Sequence, residues 1–157
     1  MTASMLYVLC VIIGGVSGLR SLTGIAIISI VAQRGWLHLS GTGLAFLGRP
    51  VWMCVFVVAA LCELIADKLP FVPSRIQPGP LVWRFLAGGF CGSALALAAG
   101  FAWIFAAAIG GIAAIVGSYM GYWLRRSITS QSVKDLPIAL LEDATAILLA
   151  LFVVSRF

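Results

Sequence analysis

The residues that could do chemistry are charged side chains standing where charge is costly. Arg20, Glu63, Asp67, Glu142 and Asp143 lie in or beside long apolar runs, and Arg75, Arg84, Arg125 and Arg126 flank those runs. An unpaired charge at the centre of a bilayer costs at least ~2.5 to 3.5 kcal/mol on insertion scales, so such residues need partners. Glu63 and Asp67 are four apart, which puts both carboxylates on one helix face. Glu142 and Asp143 open a later apolar run, so four carboxylates can gather at one depth with the arginines beside them. Carboxylates so placed accept protons or cations, and an arginine receives an anion. Arg20 is the best anion ligand of the set. Gly18, Ser21 and Gly24 surround it, and the amides freed by an interrupted helix would add to its charge. Its structural role would be to neutralise a buried carboxylate.

No nucleophile with a matching base, no phosphate loop and no metal-ligand set accompanies these residues. Cys10, Cys54, Cys62 and Cys91 sit inside apolar segments without a CxxC or Cys/His pattern, and His38 stands alone. No catalytic residue, metal or cofactor is therefore expected. The net charge of +5 comes from basic residues spread among run ends rather than gathered in a stripe, which argues for membrane topology and against nucleic acid.

The elements that must position these charges are membrane helices. Hydrophobic residues make up 62% of the 157 and charged residues 10%, against about 45 to 50% and about 25% in soluble domains. The mean hydropathy of +1.14 arises from runs at about 3–33, 50–69, 82–100, 104–125 and 136–155, and a span needs about 20 residues. The expectation is one all-α domain over 1–157, a polytopic transmembrane bundle of about five spans. The first run is too long for one straight crossing, and its glycines and hydroxyls predict a break near Gly18–Gly24. A tight turn near Phe101–Phe105 must separate the third and fourth runs. The Pro-rich segment 70–80 cannot be helical throughout and reads as a crossover.

With five spans, Lys68, Arg75, Arg84, Arg125, Arg126 and Lys134 fall on one side and Arg34, Arg49 and Arg156 on the other. The positive-inside rule then puts the N-terminus and the 70–80 crossover in the cytoplasm. Trp83 and Trp123 mark the inner interface, and Trp36, Trp52 and Trp103 the outer. Gly88, Gly92, Ala96 and Gly100 form a four-residue stripe. Gly110, Ala114 and Ser118 form another, beside Ala113, Gly117 and Gly121. Such stripes bring helix backbones close, either within the chain or across a dimer interface. A homo-oligomer, a dimer above all, is expected because so few helices enclose little volume of their own. Gly14 and Gly18, and Gly117 and Gly121, each make a Gly-x-x-x-Gly followed by an arginine, Arg20 and Arg125, and the second and fifth runs each carry an acidic pair, which raises an inverted repeat as a further reading.

The strings GLRSLTG (Gly18–Gly24), ELIADKLPFVPSR (Glu63–Arg75), QPGPLVWRFLAGG (Gln77–Gly89), GSYMGYWLRR ending at Arg126, and ALLEDATAI (Ala139–Ile147) are spread along nearly the whole chain. In these the chain resembles a bacterial family of small integral membrane proteins catalogued as domain of unknown function 4126. The resemblance implies a multi-pass protein of the bacterial cytoplasmic (inner) membrane and implies no activity. Two functions stay open. One is a transporter or channel-like protein for a small charged solute or an anionic lipid headgroup, using Arg20, Glu63, Asp67, Arg75, Arg84, Glu142 and Asp143. The other is a non-transporting scaffold or assembly subunit in the lipid bilayer whose buried charges are structural. A water-filled cavity reaching Arg20 favours the first, a dry bundle the second.

Overall fold

The computed structural model describes residues 2–66, 77–129 and 135–157. Among them the secondary structure is helical: α1 (Ala3–Leu19), α2 (Ser21–Gln33), α3 (Pro50–Ala66), α4 (Pro78–Ala98), α5 (Trp103–Thr129) and α6 (Asp135–Val154), with one 3₁₀ turn at Ala45–Gly48. Local chemistry sets several of the ends. The Thr2 side chain accepts from Met5 N and caps α1, and prolines 78 and 80 open α4 where no helical amide partner is lost. Helix α4 ends at Ala98 with Ala99 as its cap, and Gly100 follows with a φ of +75° that suits a residue without a Cβ. Phe101 N then reaches back to Ala96 O at 2.8 Å and Gly100 N to Leu97 O at 3.2 Å. This closes the α4–α5 turn a few residues earlier than the sequence suggests, because the glycine satisfies the carbonyls that α4 would leave bare.

The first apolar run breaks where expected but does not continue in one direction. Arg20 adopts an extended conformation, φ −142° and ψ 106°, between α1 and α2. A Cβ placed on Gly24 would meet Ser17 Oγ at 3.1 Å and Ile13 Cδ1 at 3.7 Å. Helix α2 therefore folds back along α1, and the run is a hairpin with Arg20 at its tip. Neighbouring helices fix the directions. Gly14 packs on Gly110 and Gly18 on Ala114, so α1 and α5 are parallel. Arg20 meets Asp143, while Ser4, Met5 and Val8 share a groove with Phe152 and Arg156, so α6 is antiparallel to α1. Thr2, Gln33 and Phe157 consequently lie at one end of the bundle.

Two expectations are corrected by this reversal. A single interrupted span would separate the N-terminus from Arg34, and the hairpin brings them to the same end. An inverted repeat would oppose α1 and α5, and they run parallel instead. The tryptophans still divide as their spacing predicts, Trp83 and Trp123 toward the far end and Trp52 and Trp103 at the starts of α3 and α5. Beyond the hairpin tip, α4 extends six residues past Arg84, α6 eight past Asp143 and α5 eleven past Ser118. At 1.5 Å per residue the tip is buried roughly 9 to 16 Å below that end.

Small residues hold α1, α4 and α5 together. A Cβ on Gly18 would run into Ala114 O, and one on Gly110 into Gly88 O. Gly92 similarly faces Ala106 O, and Gly117 lies against the Gly15 backbone. The stripes thus close the chain on itself. Gly100 stands outside them at the turn, with open space around it, and Gly121 is buried above Gly117.

The core is largely apolar, but so is the outer surface, and several charged and polar side chains are buried. Val8, Val58, Ile65, Leu86, Ile104, Met120, Leu141 and Leu148 point outward, while Arg20, Arg84, Asp143, Ser17 and Ser118 are inside. Among the described residues two helices, Pro78–Ala98 and Trp103–Leu124, are long and apolar enough to cross a membrane, and Ala3–Leu19, Ser21–Gln33 and Pro50–Ala66 are shorter apolar helices.

Candidate functional site

A helix break strands polar backbone. The last carbonyls of α1 and the first amides of α2 have no intrahelical partner, and the dipoles leave partial negative charge at the first and partial positive charge at the second. Charged side chains answer each of these. Glu63, near the end of α3, accepts Ser21 N on Oε1 and Leu22 N on Oε2, both at 2.8 Å, so its carboxylate caps α2 with two bonds. Arg84, 4% exposed, donates through Nη1 to Gly18 O and to Leu19 O, the latter at 3.0 Å, and so caps α1. Ser118 Oγ also lies 3.1 Å from Gly18 O, and 2.8 Å from Ala114 O in its own helix. Arg20 N closes the last turn onto Val16 O at 2.8 Å.

The Arg20 side chain completes the arrangement. It is 1% exposed, and both Nε and Nη2 lie 2.6 Å from Asp143 Oδ1. Asp143 is itself 8% exposed. These four side chains carry two positive and two negative charges, so their formal sum is zero. Each sign stands where the backbone field or an opposite charge favours it, which is the condition under which buried charge is tolerable.

Of the sequence-predicted residues, Arg20, Glu63, Arg84 and Asp143 are brought together at the break. Glu142 is half-buried one position before Asp143, on a different face of α6. Asp67 and Arg75, with most of the 70–80 segment, lie outside the described residues. Ser118 is the contributor that charge-based reasoning misses. Its signal is present in the Gly110, Ala114, Ser118 stripe, because a hydroxyl in a close-packed stripe sits within reach of a neighbouring backbone.

Deeper in the hairpin, Cys10 Sγ lies 3.8 Å from Gly92 O, and Ser17 Oγ is 3.6 Å from Cys91 Sγ. Among the described residues no group of three or more His, Cys, Asp or Glu could hold a metal ion. An apolar groove of 610 Å³ runs past Leu19 between α1, α5 and Leu149 of α6, and another of 330 Å³ lies between Phe46, Trp52, Phe56, Trp83 and Phe90. None of the four break residues lines either groove.

The model of a family described as Domain of unknown function (DUF4126) matches residues 8–155, nearly the whole chain, and the chain belongs to that family. No curated protein and no solved structure matches it. The matched region contains every charged residue at the break.

Proposed function

We propose that this is a multi-pass integral protein of the bacterial cytoplasmic membrane that works as a non-transporting membrane component, its buried charges serving as a lock on a broken helix. The observation that carries this reading is the saturation of the break. Both Glu63 oxygens are taken by α2 amides, Arg84 by α1 carbonyls, and Arg20 by Asp143. A site kept for a solute would leave such groups facing water, whereas Arg20 is 1% exposed. The apolar outer surface supports the membrane setting, because exposed hydrophobic area of this extent has lipid as its natural solvent.

Orientation follows from the helix directions. The described ends of α3 at Ala66, α4 at Pro78, α5 at Thr129 and α6 at Asp135 lie at the end where Arg126 is, and in sequence the segments between them hold Lys68, Arg75 and Lys134. Arg34, Arg49 and Arg156 belong to the other end. The positive-inside rule puts the first end in the cytoplasm. Both termini then face outward, opposite to the N-terminal placement that five spans would require.

A second reading keeps transport. Discontinuous helices whose half-ends converge on charged groups at mid-depth are a recurring design in secondary transporters, and this break has that form. Under it, the present arrangement is an occluded state that a charged solute would open. Single cysteines at Ser21 and Ser118, in a chain otherwise free of cysteine and reconstituted in vesicles, separate the two. A lock leaves both unmodified by small water-soluble thiol reagents from either side. Modification of either would support a solute path.

A further inference from the structure

The hairpin has a consequence for the lipid around it. Helix α1 stops at Leu19 while α5 runs on to Thr129, so the first helix leaves the far part of α5 without a full-length neighbour. The 610 Å³ groove runs along α1 from Val11 to Leu19 and continues past its end on α5 as far as Ser127. Its floor is Gly15, Gly117 and Gly121, and its rim includes Leu19, Trp123 and Leu124. A second groove of 400 Å³ continues it downward, sharing Gly15, Gly117 and Met120. Gly15 is recessed but unfilled, since a Cβ there would meet nothing within 4 Å.

We propose that this groove binds one acyl chain of an anionic phospholipid, with the lipid phosphate at Arg126. Three observations converge. On α5 the groove runs from Gly117 to Ser127, ten residues or about 15 Å, which is half of the ~30 Å hydrocarbon core and hence the depth of one leaflet. Its lining is apolar until Ser127, where a hydroxyl ends it, and Trp123 stands just below at the level where indole rings prefer the headgroups. Arg126 is exposed in the last turn of α5 beside that polar end, giving the charge complement for a phosphate. The proposal rests on the reading that the chain spans a membrane, with this end in the cytoplasm, where anionic lipid is concentrated. A second copy fits less well, because a two-fold contact would set one concave face against another.

The test is native mass spectrometry of the full chain in mild detergent with palmitoyl-oleoyl phosphatidylglycerol or phosphatidylcholine added. The wild type should retain phosphatidylglycerol preferentially. Arg126→Gln should lower that preference by about fivefold, the contribution of one basic residue at a membrane surface. Gly15→Leu places a side chain in the empty floor and should abolish retention of both lipids with an unchanged unfolding temperature. Leu124→Trp, at an exposed rim position, should weaken retention as well and serves if Gly15→Leu does not fold. Undiminished lipid retention in the groove variants, or an intact preference in Arg126→Gln, would overturn the site. A dimer that Gly15→Leu dissociates would assign the groove to a second copy and overturn it too. Failure of the membrane reading looks different, since the chain would then stay in solution without detergent.

Discussion

Glu63→Gln is the substitution whose effect the geometry fixes most tightly. The carboxylate takes one α2 amide on each oxygen at 2.8 Å. Glutamine keeps the shape and one acceptor, but its amide nitrogen would face the second N–H, donor against donor. One buried amide then loses its acceptor, at about 1 to 3 kcal/mol. Removing negative charge from the start of α2 forfeits up to about 2 kcal/mol of helix-dipole interaction in a partly buried setting. Arg20, Arg84 and Asp143 are left with a net positive charge in the interior, and breaking buried pairs in this way typically costs about 3 to 5 kcal/mol. We expect a loss in that range, read as reduced thermal stability and folding yield of the purified variant in one detergent. A loss under about 1 kcal/mol with normal folding would refute the reasoning, because it would mean that water already reaches the α2 amides.

Three further outcomes are expected. Single-cysteine labelling in oriented vesicles should find Thr2 and Thr42 accessible from one side and Gln77 from the other; Thr2 and Thr42 on opposite sides would contradict the hairpin. Gly110→Val should prevent folding or cost more than the about 1 to 3 kcal/mol of ordinary overpacking, since its Cβ would strike the Gly88 backbone rather than a side chain that can move; near-normal yield in detergent would count against the α4–α5 contact. Gly100→Ala should cost about 1 kcal/mol because φ is +75° and nothing crowds the site, and an unchanged unfolding temperature would show that the turn relaxes.

Much of the site is legible in the sequence because a charge in an apolar run has few places to go. That logic selects Arg20, Glu63, Asp67, Arg75, Arg84, Glu142 and Asp143, of which Arg20, Glu63, Arg84 and Asp143 meet at the break, and the glycines around Arg20 mark it. The reversal at Arg20 is not legible. A kinked span and a hairpin tip carry the same local signature, and which one forms depends on what α4, α5 and α6 offer the half-helices. The choice between Glu142 and Asp143 is hidden for a related reason. Adjacent helical residues point about 100° apart, so only one can face Arg20, and the rotation of α6 is set by Ala146, Ala150 and Val153, which turn into the core. The stripes are visible, and packing of the third run against the fourth is the partner they suggest for Gly88 and Gly110; the contact of Gly117 with Gly15 of α1 is not visible until α1 is folded against α5. The family match extends over the same residues without adding chemistry to them.

The central claim is that the buried charges neutralise one another and hold the break shut. A double-mutant cycle on Arg20→Met and Asp143→Leu tests it most directly, with unfolding free energy measured in one detergent. Each single substitution takes a direct ion-pair partner from a buried charge and should cost about 3 to 5 kcal/mol, whereas the double replaces the pair with apolar side chains and should be far less damaging. The account predicts a coupling energy of at least about 3 kcal/mol, at the upper end of what contacting residues show. Additive losses, with coupling under about 0.5 kcal/mol, would contradict it, because independent sites behave that way and a lock does not.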